Sequence, residues 1–528
     1  MTKMSLMRVI ALVTALFAAA VSAAVQKPFE SGPAPSPEGE IDKLVFAKLQ
    51  QLDIEPANMC SDAVFVRRVY LDVIGTLPTA KEARQFIADK APNKRAVLID
   101  RVLERDEFAD YWAMKWGDLL RVKAEFPINL WPNAAQAYHR WIYSAIKQNM
   151  PYDKFVREML TATGSNFRVP QVNFYRAMQN KDPQTIAQMA ALSFMGVRAE
   201  KWPKERLAGM AAFFSQISYK CTGEWKEEII CFDADKEPDP NAPKLPSRPV
   251  FPDGVRASLI SDKDPRQIFA DWLINPNNEW FTRNIANRLW SWLLGRGIIH
   301  EPDDIRPDNP PSNPELLAYL ESELISANYD LKHLYRLILN SNTYQLACIP
   351  ASDKGEAEAH FAFYPLRQIE AEVLIDALNQ ITGSTDKYSS AVPEPFTFIP
   401  EDQRAIELAD GSITSSFLEM FGRPPRDTGL ESERSSQPTA DQSLHMLNSS
   451  HIQKKIEQGP KLRSLLGGRQ TAAETINGIY LTIISRFPTE DEGKAIALYA
   501  GPDRTQRREA VIDLIWALIN SPEFLYRH

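Results

Sequence analysis

Two groups of side chains in this sequence have the make-up of a binding or reactive site. The first lies in RNIANRLWSWLLGRGIIHEPDD, where Arg283, Asn287, Arg288 and Arg296 stand close to Asp303 and Asp304. Guanidinium groups grip carboxylates and hydroxyl-rich ligands through paired hydrogen bonds, so the set suits a pocket for an anionic or hydroxyl-rich molecule. It also suits a buried ion-pair and capping network that fixes the Gly295-Arg296-Gly297 turn against Asn309-Pro310-Pro311. The second group is Glu433, Arg434, Ser435, Gln442, His445 and Asn448. A hydroxyl within hydrogen-bond reach of an imidazole can perform acyl transfer, which makes Ser435 and His445 a catalytic candidate beside Asp303 and Asp304. Glu433 and Arg434 join the ligand-binding candidates, and the alternative is that this group only satisfies a loop buried between two domains.

Other signatures are missing. There is no HExxH, GxSxG or GxxxxGK, and Gly295-Arg296-Gly297 lacks the third glycine of a dinucleotide loop and follows a Trp-rich helix. His445 and His451 are six residues apart, a spacing that does not stack two ligands on one helix face. No metal site is expected.

The elements that would position these groups are mainly helices. Ile41, Leu44, Val45 and Leu49 form one apolar stripe, and Ile369, Val373, Ala377, Leu378 and Ile381 form another, both at helical spacing. Trp112 with Trp116, and Tyr138 with Trp141, share that spacing and read as core packing. The segment ISYKCTGEWKEEIICFD, residues 217–233, reads as two short strands around a polar turn, which predicts a Cys221–Cys231 disulfide. Cys60 and Cys348 are left either paired or reduced. From Glu237 to Gly254, six prolines forbid a continuous helix or central strand, so residues 236–256 read as a linker or surface excursion between two halves.

Lys3 and Arg8 precede an apolar run from Val9 to Val21 that ends in Val21-Ser22-Ala23. This is the pattern of a secretory signal, residues 1–23, with cleavage expected after Ala23. The run is too short for a spanning helix, and nothing later is apolar enough to be one. The expected location is periplasmic or extracellular. A net charge of −8 and the lack of any long Lys/Arg run argue against nucleic acid as a partner.

An internal similarity links the two ends. Tyr70-Leu71, Leu77-Pro78-Thr79, Glu82, Leu98-Ile99-Asp100 and Glu107-Phe108 recur as Tyr480-Leu481, Phe487-Pro488-Thr489, Glu492, Val511-Ile512-Asp513 and Glu523-Phe524. In each copy the proline follows a turn and Thr can cap the next helix. The pattern predicts a repeated helical hairpin, with the two ends packed pseudo-symmetrically.

Longer motifs carry a resemblance. Met59-Cys60-Ser61-Asp62-Ala63-Val64-Phe65, RRVYLDVIGTLPT and DYWAMKWGDLLRV resemble the planctomycete cytochrome-c-associated family, domain of unknown function fifteen-forty-nine. RNIANRLWSWLLGRGI, NPPSNPELL, FLEMFGRPPRD, ESERSSQP and NSPEFLYRH resemble its usual companion, domain of unknown function fifteen-fifty-three. The expected first domain is 40–235 and the second 264–528.

Three departures from the families' patterns stand out. Where relatives continue into a CxxCH haem-attachment segment, this chain reads Phe194-Met195-Gly196-Val197 and runs on without it. Leu430 and Ser432 occupy what the resemblance marks as a Cys-x-Cys pair, and Asn313 stands where His is common. Either a haem or metal function has been shed, or those cysteines are structural in relatives. The resemblance implies company with c-type cytochromes and secreted sulfatase-like proteins.

Taken together, the sequence predicts a mainly α, two-domain exported protein with a small β hairpin near 217–233 and no cofactor of its own. It would act as a haem-less binding or scaffold component of a redox or polymer-processing assembly, with an exported c-type cytochrome or sulfatase-like protein as partner. The alternative is a secreted hydrolase of carbohydrate or ester substrates, so whether the chain is an enzyme stays open.

Overall fold

Helices dominate because most of the chain alternates helical apolar stripes with strong caps. A computed structural model describes residues 28–31, 35–237, 240, 243–259, 263–467, 471–500 and 504–528, and the expected signal segment lies outside them. Helix Asp62–Ile74 starts at Ser61, whose hydroxyl accepts from the Val64 amide, and ends at left-handed Gly75. Helix Ala80–Ala88 opens on a reciprocal Thr79–Glu82 capping box. Each such cap satisfies amides that would otherwise be orphaned at the helix start, worth about 1 kcal/mol.

The repeat is real in three dimensions. Helix Glu490–Tyr499 opens on the same box, formed by Thr489 and Glu492. Glu82 and Glu107 flank Arg105 at 3.0 and 2.6 Å, and Glu492 and Glu523 flank Arg486, both at 2.7 Å. Each arginine also lies 5.4 Å from the ring of the repeat's tyrosine, Tyr70 or Tyr480. The same Glu–Arg–Glu–Tyr cluster is thus built twice, with the arginine supplied from a different point of the chain. The two copies also touch: Arg67 donates to the Ile483 carbonyl at 2.8 Å and the Phe524 carbonyl at 2.9 Å.

A continuous apolar core runs from Ile41 to Phe524. Its centre is aromatic, with Trp112 of helix Asp106–Leu119 lying 5.3 Å from Trp292 and 4.6 Å from Tyr335. Such ring pairs add about 0.5–1.5 kcal/mol beyond burial. The proline-rich segment ends against this body: Phe251 stacks on Phe213 at 4.8 Å and on Trp272 at 5.1 Å.

Sheet structure is minor. Strands Ile217–Cys221 and Glu228–Phe232 form the expected hairpin, and Gly164–Ser165 adds a third strand on the far side of the second. The expected Cys221–Cys231 disulfide is not present, because all four cysteines are free. The register explains this. Cys231 pairs with Ser218 and Cys221 with Glu228, so the two thiols are offset by three residues and point to opposite faces of the hairpin. Ellman's reagent is expected to modify exposed Cys221 first in the native protein, and four thiols after denaturation without reductant. A count of two would restore the disulfide.

Candidate functional site

Three of the charged residues singled out in the sequence, Arg288, Asp303 and Arg434, meet others in one buried seam, and the side chains that complete it come from chain segments far apart. Helix Asp106–Leu119 contributes Lys115 and Asp118 from a face otherwise packed with Trp112 and Trp116. The start of helix Ala371–Thr382 contributes Glu370 and Glu372. The loop that follows Phe421 contributes Arg423, Arg426, Glu431 and Arg434, and the short C-terminal strand Tyr526–Arg527 contributes Arg527.

The pairs close on one another. Lys115 donates to Glu370 at 2.8 Å, and Arg527 donates to the other oxygen of Glu370. Asp118 accepts from Arg426 at 2.8 Å and from Arg434 at 2.7 Å. Arg434 reaches on to Glu372 at 2.7 and 3.1 Å, where Arg423 approaches to 3.3 Å. Arg527 also donates to Asp72 at 3.0 Å, a carboxylate that takes the hydroxyls of Tyr344 and Tyr364 at 2.9 and 2.8 Å. At the opposite end Arg288 donates to Asp303 at 2.7 Å, and the second Asp303 oxygen accepts the Glu431 amide at 2.6 Å.

Burial opposes ionisation of these carboxylates, and the guanidinium and ammonium groups around them overcome it. Glu370 is held well below the usual carboxylate range by Arg527, Lys115 and Arg434 against its burial. Asp118 and Glu372 are lowered in the same way, chiefly by Arg434. A general acid or base works best near the operating pH, and these groups are driven away from it. The small pocket among Lys115, Asp118, Leu430, Glu431 and Arg434 has room of about 10 Å³, enough for a single water. The seam is built to hold structure.

The remaining candidates fall outside it. Arg283 pairs with Glu321 at 3.0 Å. Asn287 clamps the glycine turn, donating to the Ile299 carbonyl at 3.0 Å and accepting its amide at 2.8 Å. A Cβ on Gly297 would lie 2.2 Å from that same carbonyl, and one on left-handed Gly295 would meet Arg367 at 2.4 Å, so the turn admits only glycine at both places. Arg296, half-buried beside this turn, is not part of the seam. Asp304 faces Arg306 at 3.2 Å and Lys201 at 3.6 Å. The Glu433 carboxylate caps a loop, accepting the Asp427 amide at 2.8 Å and the Thr428 amide at 3.3 Å. Asn313 caps helix Pro314–Ser326 and donates to the Leu44 carbonyl at 3.1 Å, which accounts for its burial.

Ser435 and His445 do not meet as a catalytic pair. Ser435 is exposed, and its amide donates to the Gly422 carbonyl at 3.1 Å. His445 turns instead to His451, with Nε2 and Nδ1 at 3.4 Å, and His451 Nε2 lies 2.8 Å from Asp386. The six-residue spacing does not keep these imidazoles apart, because one helix ends at Asn448 and the next begins at Ser450, with Ser449 extended between them. Two nitrogens make an incomplete metal set, and among the described residues no group of three or more His, Cys, Asp or Glu is placed to hold a metal ion.

These residues sit on a fold whose two parts match known families. Residues 40–222 match PSCyt2, a protein of unknown function (DUF1549), and residues 265–500 match PSD1, a protein of unknown function (DUF1553). The chain is a PSCyt2–PSD1 protein. Comparison with curated proteins and with solved structures finds no match. The seam joins the two modules, since Lys115 and Asp118 belong to PSCyt2 and Asp303, Glu372, Arg426 and Arg434 to PSD1. Reading the PSD1 motifs alone missed Lys115, Asp118, Glu370 and Glu372. The available signal was charge inside strongly apolar helices, in DYWAMKWGDLL and IEAEVLIDAL.

Removing the central cation while its partners stay buried costs about 3–5 kcal/mol. Arg434→Met is therefore expected to lower unfolding stability by that amount, measured by urea titration, and a loss under about 1 kcal/mol would show the pairing to be dispensable. His139, buried and close to Arg426, is pushed down to about 3 by burial first and by Arg426 second. A buried neutral imidazole contributes stability that is complete above its ordinary value of 6.5 and is lost as pH falls toward 3. Wild type should lose stability relative to His139→Phe across that window, approaching about 1.4 kcal/mol per pH unit. Parallel curves for the two proteins would refute it.

Proposed function

We propose that this PSCyt2–PSD1 protein is an exported, non-catalytic binding component of a periplasmic or surface assembly concerned with redox chemistry or polymer processing. The observation that carries the reading is the pairing of the seam: Asp303 is taken by Arg288 and the Glu431 amide, and Arg434 by Asp118 and Glu372. The seam carboxylates already hold cations or amides, and the opening among Lys115, Asp118, Glu431 and Arg434 has room for about one water; the donors left without a hydrogen-bond partner, Nε and Nη1 of Arg288 and Nε of Arg423 and Arg527, are buried away from it. The exposed position of Ser435 and the turning of His445 toward His451 also speak against acyl transfer. The sequence runs past Val197 without a CxxCH, so a haem in this assembly would be carried by a partner such as a c-type cytochrome, with a sulfatase-like protein the alternative partner.

Gentle affinity purification from the native envelope, with an absorption spectrum taken on the same sample, tests this. A haem-bearing or sulfatase-like protein is expected in a fixed ratio to the chain. A colourless monomer that hydrolyses nitrophenyl esters or glycosides, with a tenfold loss in Asp303→Asn or His445→Ala, would overturn the reading in favour of a hydrolase.

A further inference from the structure

The hairpin carries a second site of opposite character. Its loop, residues 222–227, forms one wall of an open groove of about 570 Å³ lined also by Asn129, Arg176, Lys181 and Glu228. That volume is in the range of sites for small organic ligands. Trp225 stands at the edge of the groove and is 69% exposed. Trp131 meets it edge-on with ring centres 6.5 Å apart, and Phe396 continues the row at 5.2 Å from Trp131. Three aromatic rings from three separate segments therefore line up on the surface, where hydrophobic burial does not account for them.

The backbone is strained at this place. Trp131 has φ 72° and Lys226 has φ 63°, both in the left-handed region. Bulky side chains there cost about 1–3 kcal/mol each, a cost that persists only when the surroundings enforce it. The surroundings do enforce it. The Leu130 carbonyl accepts from Arg176 at 3.1 Å, the Trp131 amide donates to Ala124 at 3.1 Å, and Asn166 donates to the Lys226 carbonyl at 3.2 Å. Glu227 braces the loop from inside, accepting the Ser165 hydroxyl at 2.5 Å and the Thr222 hydroxyl at 2.7 Å. The strain aims the Lys226 ammonium between the two indoles, 5.7 Å from the Trp131 ring centre and 5.3 Å from that of Trp225.

We infer that this groove binds a chain of uncharged sugar residues, with Trp225 stacking on a pyranose face and Glu224, Asn129 and the Lys181–Glu228 pair, 2.9 Å apart, meeting its hydroxyls. Two features select this ligand. The lining sets Arg176, Lys181 and Lys226 against Glu224, Glu227 and Glu228, so it attracts neither polyanion nor polycation. A hydroxyl both donates and accepts and can serve carboxylate and ammonium alike, whereas a proline-rich peptide offers chiefly carbonyl acceptors and would leave Glu224 opposed by like charge density. The groove shares no residue with the charged seam, and the inference does not rest on the reading of that seam.

Titration of the full mature chain with cellohexaose, xylohexaose and mannohexaose, read by calorimetry, tests it. At least one is expected to bind, and Trp225→Ala to weaken that binding about tenfold, the contribution of one stacked ring. Trp225 is exposed, so its replacement is expected to leave the melting temperature unchanged. Lys226→Gly, which relieves the left-handed strain, should raise the melting temperature and still weaken binding at least threefold. Binding of none of the three sugars, or equal binding by wild type and both variants, overturns the inference. Preference for dextran sulfate or for a proline-rich peptide would overturn it in favour of those ligands. Failure here leaves the partner purification unaffected, because that experiment reads co-purifying protein and haem and not sugar binding.

Discussion

Burying a charge without a partner costs several kcal/mol, and this protein gathers twelve charged groups along the join between its two modules, eight of them buried. The rest of the architecture follows from having to neutralise them. Asp118 on a PSCyt2 helix has one cation near it on its own helix, Lys115, which is paired with Glu370, so its hydrogen-bonded partners are Arg426 and Arg434 of PSD1. Glu370 needs both Lys115 and Arg527, which lie on either side of it in the chain by some hundreds of residues. The modules cannot separate without exposing an ion network to partial pairing, so the seam enforces register between them much as a buried polar residue does in a coiled coil. The specificity is that of a lock, and the free energy of association comes from the aromatic core around Trp112, Trp292 and Tyr335.

The repeated hairpins show the same economy at smaller scale. Each uses a Thr–Glu capping box, and the capping glutamate serves twice, since Glu82 and Glu492 also take the guanidinium of Arg105 and Arg486. The tyrosines over those guanidinium groups explain why Tyr70 and Tyr480 recur at the same step of the two motifs. Arg67 then ties one copy to carbonyls of the other without a carboxylate partner. Burial accordingly pulls it down to about 10, which still leaves it charged at neutral pH.

Local signals were legible and long-range pairing was not. Caps at Thr79 and Thr489, the turn at Gly295 and the hairpin at 217–233 all depend on residues within a few positions of one another, and a single sequence carries that information, whereas Asn313 stood out in the sequence only as a departure from His. The disulfide expectation failed because a hairpin's register is set by its loop, and a shift of three residues turns a facing pair into one on opposite faces. His445 and His451 were set aside on helical spacing, which ignored the possibility that Ser449 ends one helix and caps the next. Arg288 and Asp303 lie near each other in the chain, and their pairing was visible as the ion-pair alternative. Arg434 with Asp118 was not, because no pattern in one chain records which of many arginines will cross to which carboxylate.

The seam and the groove are made of the same residue types, and what separates them is room: the groove's own pairs, Arg176 and Lys181 with Glu228 at 2.6 and 2.9 Å, stand on the wall of an open space of about 570 Å³. In the seam each carboxylate meets guanidinium or ammonium groups, and the opening beside Asp118, Glu431 and Arg434 admits about one water, so a ligand there would have to break a pair before making one. At the groove Trp225 is open to solvent, Lys226 rests on rings, and two bulky residues hold positive φ, Trp131 as the N-cap of helix Pro132–Lys147 and Lys226 in the hairpin loop. Such conformations persist only where the surroundings enforce them. The family motifs, dense in arginine, aspartate and tryptophan, describe how the two modules are joined, and the groove proposed for a sugar chain lies in the less patterned loops around residues 129–131 and 222–227.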